Sequence, residues 1–258
     1  SVHVENSVRL LGTNEPDLLH FSRENRSHPL RRSGFGFSQE ALASGEFIAF
    51  TDDDCRPMPQ WLEIMVSVLQ NSPAALVGGS TVNELHDDLF AEISQLIVDL
   101  VYAHFNRQPL RAFFFASNNM GVRRNDYLDS GGFDVNFRVA SEDREFCDRW
   151  RIQGRPLIWQ KEAFVHHGHS QNLCEFAKLH FRYGQGAWHY QNKRRQRGSG
   201  TMREDLAFHR SLPTAVLRKT ARYKVGVRGK IMAILLLWQA ANAAGFFYAW
   251  LKDGSSVE

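Results

Sequence analysis

The sequence predicts an α/β fold, because short apolar stretches of strand length alternate with longer stretches whose apolar residues recur at helical spacing. Glu46–Thr51 is an apolar run of strand length, as expected of a strand buried on both faces. Trp61–Gln70 repeats its apolar residues at helical spacing, and Ala75–Gly79 predicts another strand, with Gly78-Gly79 turning the chain. The 258 residues, 43% of them hydrophobic, suit one large domain or a domain with an appendage.

The later part of the chain continues this alternation. The predicted elements are a helix over Asp87–Phe105, a strand over Phe113–Arg123, helices over Arg124–Ser130 and Ser141–Gln153, strands over Pro156–Trp159 and Ala163–His166, a helix over Asn172–His180, a basic linker over Lys193–Gly200 and an apolar helix over Ile231–Leu251. Residues 1–37 show no such period, so irregular structure is expected there, followed by a helix end at Gln39–Ser44 that Gly45 closes.

The charge distribution indicates a central cation site and a basic tail. The net charge of +3 is too small to predict nucleic-acid binding. Acidic residues concentrate between Asp52 and Asp148, whereas basic residues dominate from Arg182 to Lys230. The three cysteines form no Cys-x-x-Cys pair, which argues against a zinc cluster or a disulfide framework and favours a reducing cytosol.

Asp52, Asp53 and Asp54 directly follow the predicted strand Glu46–Thr51. Three consecutive carboxylates repel each other and are stabilised by a hard divalent cation. Asp52 and Asp54 are two residues apart, so in an extended segment they point the same way and can share a cation, or a cation and a ribose. The alternative interpretation is a solvated aspartate turn before Pro57.

Glu142 and Asp143 fall in the first turn of the predicted helix Ser141–Gln153, after a turn at Gly131-Gly132. The helix dipole keeps a carboxylate ionised at this position, and such a group can serve as a general base. The alternative is ordinary N-terminal capping, for which Ser141 is the predicted N-cap residue.

Three histidines, His166, His167 and His169, follow one another closely at the end of the predicted strand Ala163–His166. Histidine beside glycine at a strand end can bind a metal ion or carry protons. The alternative is a polar loop without a ligand.

Together these segments resemble the inverting family 2 glycosyltransferases, which have a GT-A fold: a mostly parallel sheet flanked by helices. The resemblance covers about Ala41 to Trp188 and depends on the order and spacing of its pieces. These are ALASGEFIAFTDDDCRPMPQWLE (Ala41–Glu63), FFASNNMGVRRNDYLDSGGFD (Phe114–Asp134), SEDREFCDRWRIQG (Ser141–Gly154), VHHGHS (Val165–Ser170) and FRYGQG (Phe181–Gly186).

The resemblance implies transfer of a sugar from a nucleotide-sugar donor to a hydroxyl acceptor, with Mg²⁺ or Mn²⁺ as cofactor. Gln185–Trp188 lacks the Arg of the Gln-x-x-Arg-Trp motif of processive members, which favours transfer of a single sugar. In this reading Asp52 and Asp54 contact the ribose and the metal, with Asp53 beside them. His166 is the late metal ligand and His167 the alternative; Asp143 is the catalytic base, Glu142 shapes the acceptor site, and Asn118 and Asn119 line the sugar pocket.

The resemblance also implies a division of the chain into an irregular or truncated segment (1–38), a GT-A-like catalytic domain (39–192), and a basic linker with an apolar helix (193–258). Nothing in residues 1–37 matches the strand-turn-strand that opens the family, so one alternative is a catalytically impaired remnant or binding scaffold. A metal-dependent phosphotransferase or phosphohydrolase, and a basic membrane or nucleic-acid adaptor, are further alternatives.

The C-terminal tail predicts membrane association. Ile231–Leu251 is long enough to cross a bilayer, and six basic residues precede it, although Gln239 and Asn242 leave a core or interfacial helix open. We expect an enzyme at the cytoplasmic face of the plasma membrane that acts on a lipid-linked or cell-surface polysaccharide acceptor, without a nucleic-acid partner.

Overall fold

A computed structural model describes residues 18–22 and 45–254 of the chain. The helix end expected at Gln39–Ser44, and most of the segment expected to be irregular, lie outside these residues. The strands are β1 Leu18–Ser22, β2 Phe47–Thr51, β3 Cys55–Pro57, β4 Leu76–Asn83, β5 Asn119–Arg123 and β6 Leu157–His167. The helices are α1 Trp61–Asn71, α2 Leu89–Phe105, α3 Arg124–Asp129, α4 Glu142–Ile152, α5 Leu173–Arg197, α6 Arg203–Thr220 and α7 Val225–Gly254.

The strands form one sheet in the order β1-β2-β5-β4-β6-β3. The pairs β1–β2 and β4–β6 are parallel, and the other three pairs are antiparallel. Four strands therefore run in one direction, and β5 and β3 run in the other. The predicted α/β class is confirmed, as a mixed sheet that is flanked by helices.

Two hydrophobic clusters cover the two faces of the sheet. Leu76 and Val122 pack with Trp150 of α4 on one face, and Phe47 and Val77 pack with α1 on the other. A strand that is covered on both faces reads as a continuous apolar run, which is why Phe47–Phe50 shows no alternation and is fully buried.

Two predicted features of the early chain differ from the structure. Leu18–Ser22, in a segment expected to be irregular, pairs in parallel with β2; backbone pairing to a neighbouring strand decides the structure where the local pattern is weak. Gly78 and Gly79 do not turn the chain but lie inside β4. A Cβ atom on Gly78 would lie 2.0 Å from the Phe115 ring, and one on Gly79 would lie 1.8 Å from the Ala163 carbonyl oxygen, so close packing requires glycine there.

The later elements are longer or shorter than the sequence predicts. The predicted strand Phe113–Arg123 is regular only from Asn119, and the two short strands after Pro156 are one strand, β6. Asn172 is the N-cap of helix α5, and its side chain forms a capping box with Glu175. The helix continues into the predicted linker as far as Arg197. The expected boundary between residues 192 and 193 therefore lies inside a continuous helix.

The C-terminal helices pack against the body of the protein. Helices α2, α5, α6 and α7 share a hydrophobic cluster that includes Ile97, Phe176, Phe208, Leu235 and Trp238. Among the described residues one helix, over Val225–Asp253, is long and apolar enough to cross a membrane, and 22% of its most apolar window is buried. One face of α7 thus belongs to the core, and the rest is exposed.

Candidate active site

One edge of the sheet opens into a cavity of about 940 Å³. Strands β2, β4 and β6 run in the same direction, so their carboxyl ends meet there, as is typical of ligand sites in open α/β sheets. Asp52 follows β2, Asn83 ends β4 and His167 ends β6, and all three line the cavity. The site is therefore a consequence of strand direction.

Asp54 lies at the centre of a cluster with two histidines. Its Oδ1 atom is 3.3 Å from His167 Nε2, and its Oδ2 atom is 3.0 Å from His169 Nδ1. The pairing of β3 with β6 places Cys55 opposite His167, and the Gly168 N–H donates to the Asp54 carbonyl oxygen. Because β3 and β6 hold these segments together, the carboxylate and the imidazoles meet at the rim of the cavity.

The electrostatics of this cluster favour an ionised carboxylate. Burial would raise the pKa of the Asp54 carboxyl, but hydrogen bonds and positive charge from His167 and His169 lower it well below its ordinary value. The hydrogen bond to Asp54 in turn raises the pKa of His169. A carboxylate and two imidazoles in contact are held together by charge, and a divalent cation can replace the protons between them.

The donor set fits a divalent cation. Three possible ligand atoms lie within 4.8 Å of one another: a carboxylate oxygen of Asp54, a ring nitrogen of His167 and the sulfur of Cys55. Burial, and then the charges of Asp52 and Asp54, raise the pKa of the Cys55 thiol to about 12, so the thiol remains protonated at neutral pH. The carboxylate and imidazole groups are ligands suited to Mn²⁺ and similar ions, and carboxylates also suit Mg²⁺.

The predicted ligand His166 does not lie at Asp54. Side chains alternate along a strand, so His166 and His167 of β6 point to opposite faces. His166 packs against Phe164 and is not part of the cavity wall, whereas His167, the alternative ligand, and His169 contact Asp54. His169 belongs to the histidine group that the sequence indicated, but the resemblance implied a ligand role only for His166, with His167 as the alternative.

Asn118 and Asn119 also occupy different environments. Asn118 lines the cavity, together with Asp52 and Asp53, and its buried Oδ1 atom has no hydrogen-bond partner among the described residues. Asn119 is fully buried below the cavity: its Nδ2 donates to the carbonyl oxygens of Ser80 and Ala163, and its Oδ1 accepts from Trp61 Nε1. We therefore correct the predicted role of Asn119, which bridges strands and does not line the pocket.

Helix α4 brings two acidic residues to the same cavity. Glu142 and Asp143 occupy its first turn and line the cavity wall. Ser141 precedes them with φ of 72°, in the left-handed region, and its side chain makes no capping hydrogen bond to the described helix N–H groups. Ser141 is thus the N-cap residue, as predicted, but its side chain does not provide the cap. Its backbone turn, a costly conformation for a residue other than glycine, sets the direction in which α4 enters the site.

Arg144 is a cavity residue that the sequence prediction missed. Its guanidinium lies over the rings of Phe105, Phe114 and Tyr190 and donates to Asp205 Oδ1 at 3.1 Å. Burial would lower its pKa, but the charges of Asp205, Tyr190 and Asp143, together with the hydrogen bond to Asp205, raise it, so the side chain stays cationic. No sequence pattern indicated this position, because Asp205 comes from α6, 61 residues away along the chain.

The fold and this cavity define an α/β protein with a candidate cation site opposite a helix-borne carboxylate. Residues 36–131 match the family model described as glycosyl transferase family 2. The matched segment contains the Asp52–Asp54 cluster and β5. This segment is therefore similar to family 2 glycosyl transferases, and the resemblance found in the sequence is confirmed.

Two similar proteins extend the comparison. A glucosyl-dolichyl phosphate glucuronosyltransferase of Haloferax volcanii is 27% identical over 176 residues, which cover 64% of this chain and 55% of that protein. The mannosyltransferase PcManGT from Pyrobaculum calidifontis, solved in complex with GDP-Man and Mn²⁺, has a TM-score of 0.51 at 16% identity, over 85% of this chain and 65% of that one. The second comparison supports the fold alone, and the chain spans about half the length of the archaeal relative.

Proposed function

We propose that this protein transfers one sugar from a nucleotide-diphosphate donor to a hydroxyl acceptor, with inversion at the anomeric carbon. The observation that carries the proposal is that the Asp54–His167–His169 cluster and Asp143 line the same cavity at the carboxyl ends of the strands. The family match over residues 36–131 agrees with it.

In this proposal Asp54 and His167, with His169, hold Mn²⁺ or Mg²⁺. The mannosyltransferase PcManGT, solved with GDP-Man and Mn²⁺, motivates the choice of Mn²⁺ for a first test. A bound divalent cation would stabilise negative charge on the departing nucleoside diphosphate. Asp52 and Asp53 contact the ribose side of the donor, and Asn118 offers its unpartnered Oδ1 atom to a donor hydroxyl group.

Asp143 is the proposed general base. Its position in the first turn of α4 places it near the positive end of the helix dipole, which favours the ionised carboxylate. From there Asp143 takes the proton of the acceptor hydroxyl group as that oxygen attacks the anomeric carbon on the face opposite the leaving group. Attack from the opposite face inverts the configuration. Glu142 shapes the acceptor side of the cavity.

We further propose that the acceptor is attached to a lipid and that the protein works at a membrane surface. The name of the Haloferax volcanii relative includes a dolichyl phosphate-linked sugar. Much of α7 is exposed, including Leu236, Phe247, Trp250 and Leu251, and basic residues precede it. Apolar side chains beside a basic segment favour contact with an anionic membrane surface, which is consistent with the cytoplasmic face.

The test separates donor binding from transfer in the variant Asp143→Asn. UDP-glucose, UDP-glucuronate and GDP-mannose are supplied with Mn²⁺, with and without a polyprenyl-phosphate-linked sugar, and release of the nucleoside diphosphate is measured. We expect Asp143→Asn to lower turnover at least about 100-fold, because a positioned general base contributes roughly that much. Donor affinity, measured by calorimetry, should stay within about twofold of the original.

The matched control is Asp129→Asn, at an exposed aspartate of α3 that does not line the cavity. It should leave turnover and binding unchanged. Equal loss of binding and turnover in Asp143→Asn would remove the base assignment. If none of the donors binds, either with Mn²⁺ present or after EDTA has removed it, the result would favour the alternative of a binding scaffold.

A further inference from the structure

The cavity continues from the sheet edge into the helices, where it contains buried polar atoms that nothing described in the protein satisfies. Ser94 of α2, His180 of α5 and Gln239 of α7 all line this cavity, and we call these three residues the His180 patch. The Ser94 Oγ, both ring nitrogens of His180 and the Gln239 Nε2 have no hydrogen-bond partner among the described residues. Three helices thus each contribute an unsatisfied polar group to one cavity.

His180 is the most buried member of the patch. It is 4% exposed, and its ring lies 4.3 Å from that of Phe176, 5.5 Å from that of Tyr183 and 6.3 Å from that of Trp238. Burial lowers the pKa of His180 to about 4, so the imidazole is uncharged at neutral pH and offers one donor and one acceptor. Polar groups that remain buried without partners are destabilising, which makes a ligand or ordered water at the patch the expected occupant.

The chemistry of the patch restricts that ligand. Its groups are uncharged and include both donors and acceptors, which match hydroxyl groups. Arg144 is the one Arg or Lys among the described residues lining the cavity, and it is paired with Asp205, so the patch itself offers no cation to a phosphate. An alkyl chain would leave all the polar atoms unsatisfied. Flanking aromatic rings such as Trp238 suit the apolar face of a sugar.

We infer that the His180 patch binds an uncharged sugar unit of the acceptor, so that the acceptor is a glycoside and not a bare lipid phosphate. This inference rests on the proposed glycosyl transfer. The donor is held at the Asp54 end of the cavity, and the acceptor sugar lies towards α5 and α7 with a hydroxyl group directed to Asp143. The helices that follow the family 2 segment therefore select the acceptor.

The probe is n-octyl β-D-glucopyranoside, kept below its micelle-forming concentration, and the references are 1-octanol and octyl phosphate. Binding is measured by calorimetry and by the fluorescence of the protein's tryptophans. The unaltered protein should bind the glucoside at least fivefold more tightly than either reference. His180→Phe, which keeps an aromatic ring between Phe176 and Trp238, should lose at least fivefold in glucoside affinity and keep its affinity for octanol.

The matched control is His104→Phe, the same change at a histidine that packs on the rings of Phe105 and Phe208 but does not line the cavity. It should leave glucoside affinity unchanged. Ser94→Ala decides the question if His180→Phe does not fold, because it removes one hydroxyl group and should weaken glucoside binding by at least threefold. Equal affinity for glucoside and octanol, or full affinity in the folded patch variants, overturns the inference.

Donor binding separates this inference from the proposed function. Mn²⁺-dependent binding of UDP-glucose or GDP-mannose should be unchanged in His180→Phe and Ser94→Ala. If the donor binds but the patch variants keep full glucoside affinity, only the acceptor subsite is wrong. If the unaltered protein binds no donor, the proposed function fails, whatever the glucoside result.

Discussion

Asn118 and Asn119 are adjacent in the chain, but only Asn118 faces the cavity. Asn118 leaves its Oδ1 atom available for a ligand, whereas Asn119 uses three hydrogen bonds to tie β4 and β6 to α1. Consecutive residues at the start of a strand point to opposite sides, so one asparagine is suited to binding and its neighbour to stability.

This division predicts opposite phenotypes for the two alanine variants. Asn119→Ala should lower the free energy of unfolding by about 2–4 kcal/mol, because it removes three hydrogen bonds, two of them fully buried. Asn118→Ala should change stability by less than about 1 kcal/mol but weaken donor binding. Urea denaturation and donor calorimetry measure both. A stable Asn119→Ala variant that has lost donor binding would restore the role predicted from the sequence.

His180 predicts a pH dependence of stability. Its pKa is about 4 in the folded protein and near 6.5 in the unfolded chain, so between these values the unfolded chain binds more protons. The resulting penalty is absent above pH 6.5, grows as the pH falls and is complete below pH 4. The free energy of unfolding of His180→Phe, relative to the original, should therefore rise by about 2 kcal/mol between pH 7.5 and pH 5. Parallel pH profiles would show that the pKa of His180 is the same in the folded protein and in the unfolded chain.

Sequence reasoning located the site to within a few residues. Asp52, Asp53, Asp54, Glu142 and Asp143 were predicted from their places at a strand end and a helix start, and all line the cavity. The preference for His166 over His167 was wrong, because the choice depends on which side of the sheet each side chain of β6 points to. Arg144 could not be found, since its partner Asp205 comes from a helix that the sequence did not predict.

At the scale of elements, helices α5 and α7 cross at unusually short range. A Cβ atom on Gly184 would lie 2.0 Å from the Asn242 carbonyl oxygen, and one on Gly245 would lie 1.9 Å from that of Phe181. Glycine lets two helix backbones approach in this way. From the sequence alone, glycine in this segment suggests that the helix is interrupted near His180. In the structure α5 continues past Gly184, because the role of this glycine is to let α7 pack closely.

Gly245→Ala should therefore weaken the docking of α7. The added methyl group overlaps the backbone of α5, and we expect a loss of about 1–3 kcal/mol in the free energy of unfolding. Gly229→Ala is the matched control in the same helix, because its Cβ atom would meet nothing within 4 Å. It should raise stability by about 0.5–1 kcal/mol through helix propensity. Equal effects of the two changes in thermal denaturation would contradict the close crossing.

At the scale of the whole molecule, the C-terminal helices belong to the site. The cavity wall includes Asp54 at the sheet edge, Leu206 of α6 and Trp238, Asn242 and Phe246 of α7. A strand-and-helix pattern predicted β2, β4, β5 and β6, which contain local apolar runs, whereas β1 and the short strand β3 were not predicted. The position of the tail could not be predicted, because a long apolar helix has the same composition whether it packs in a core, lies on a membrane or crosses it.

The position of the cation is the most direct test of the proposed mechanism. Crystals grown with Mn²⁺ and UDP or GDP would be measured at the manganese absorption edge, where anomalous scattering locates the ion. We expect one strong peak within coordination distance of Asp54 and His167, on the cavity side of β6, and no peak after EDTA treatment or in Asp54→Ala. A manganese peak elsewhere in the cavity, or an ordered nucleotide with no ion beside Asp54, would contradict the proposed site.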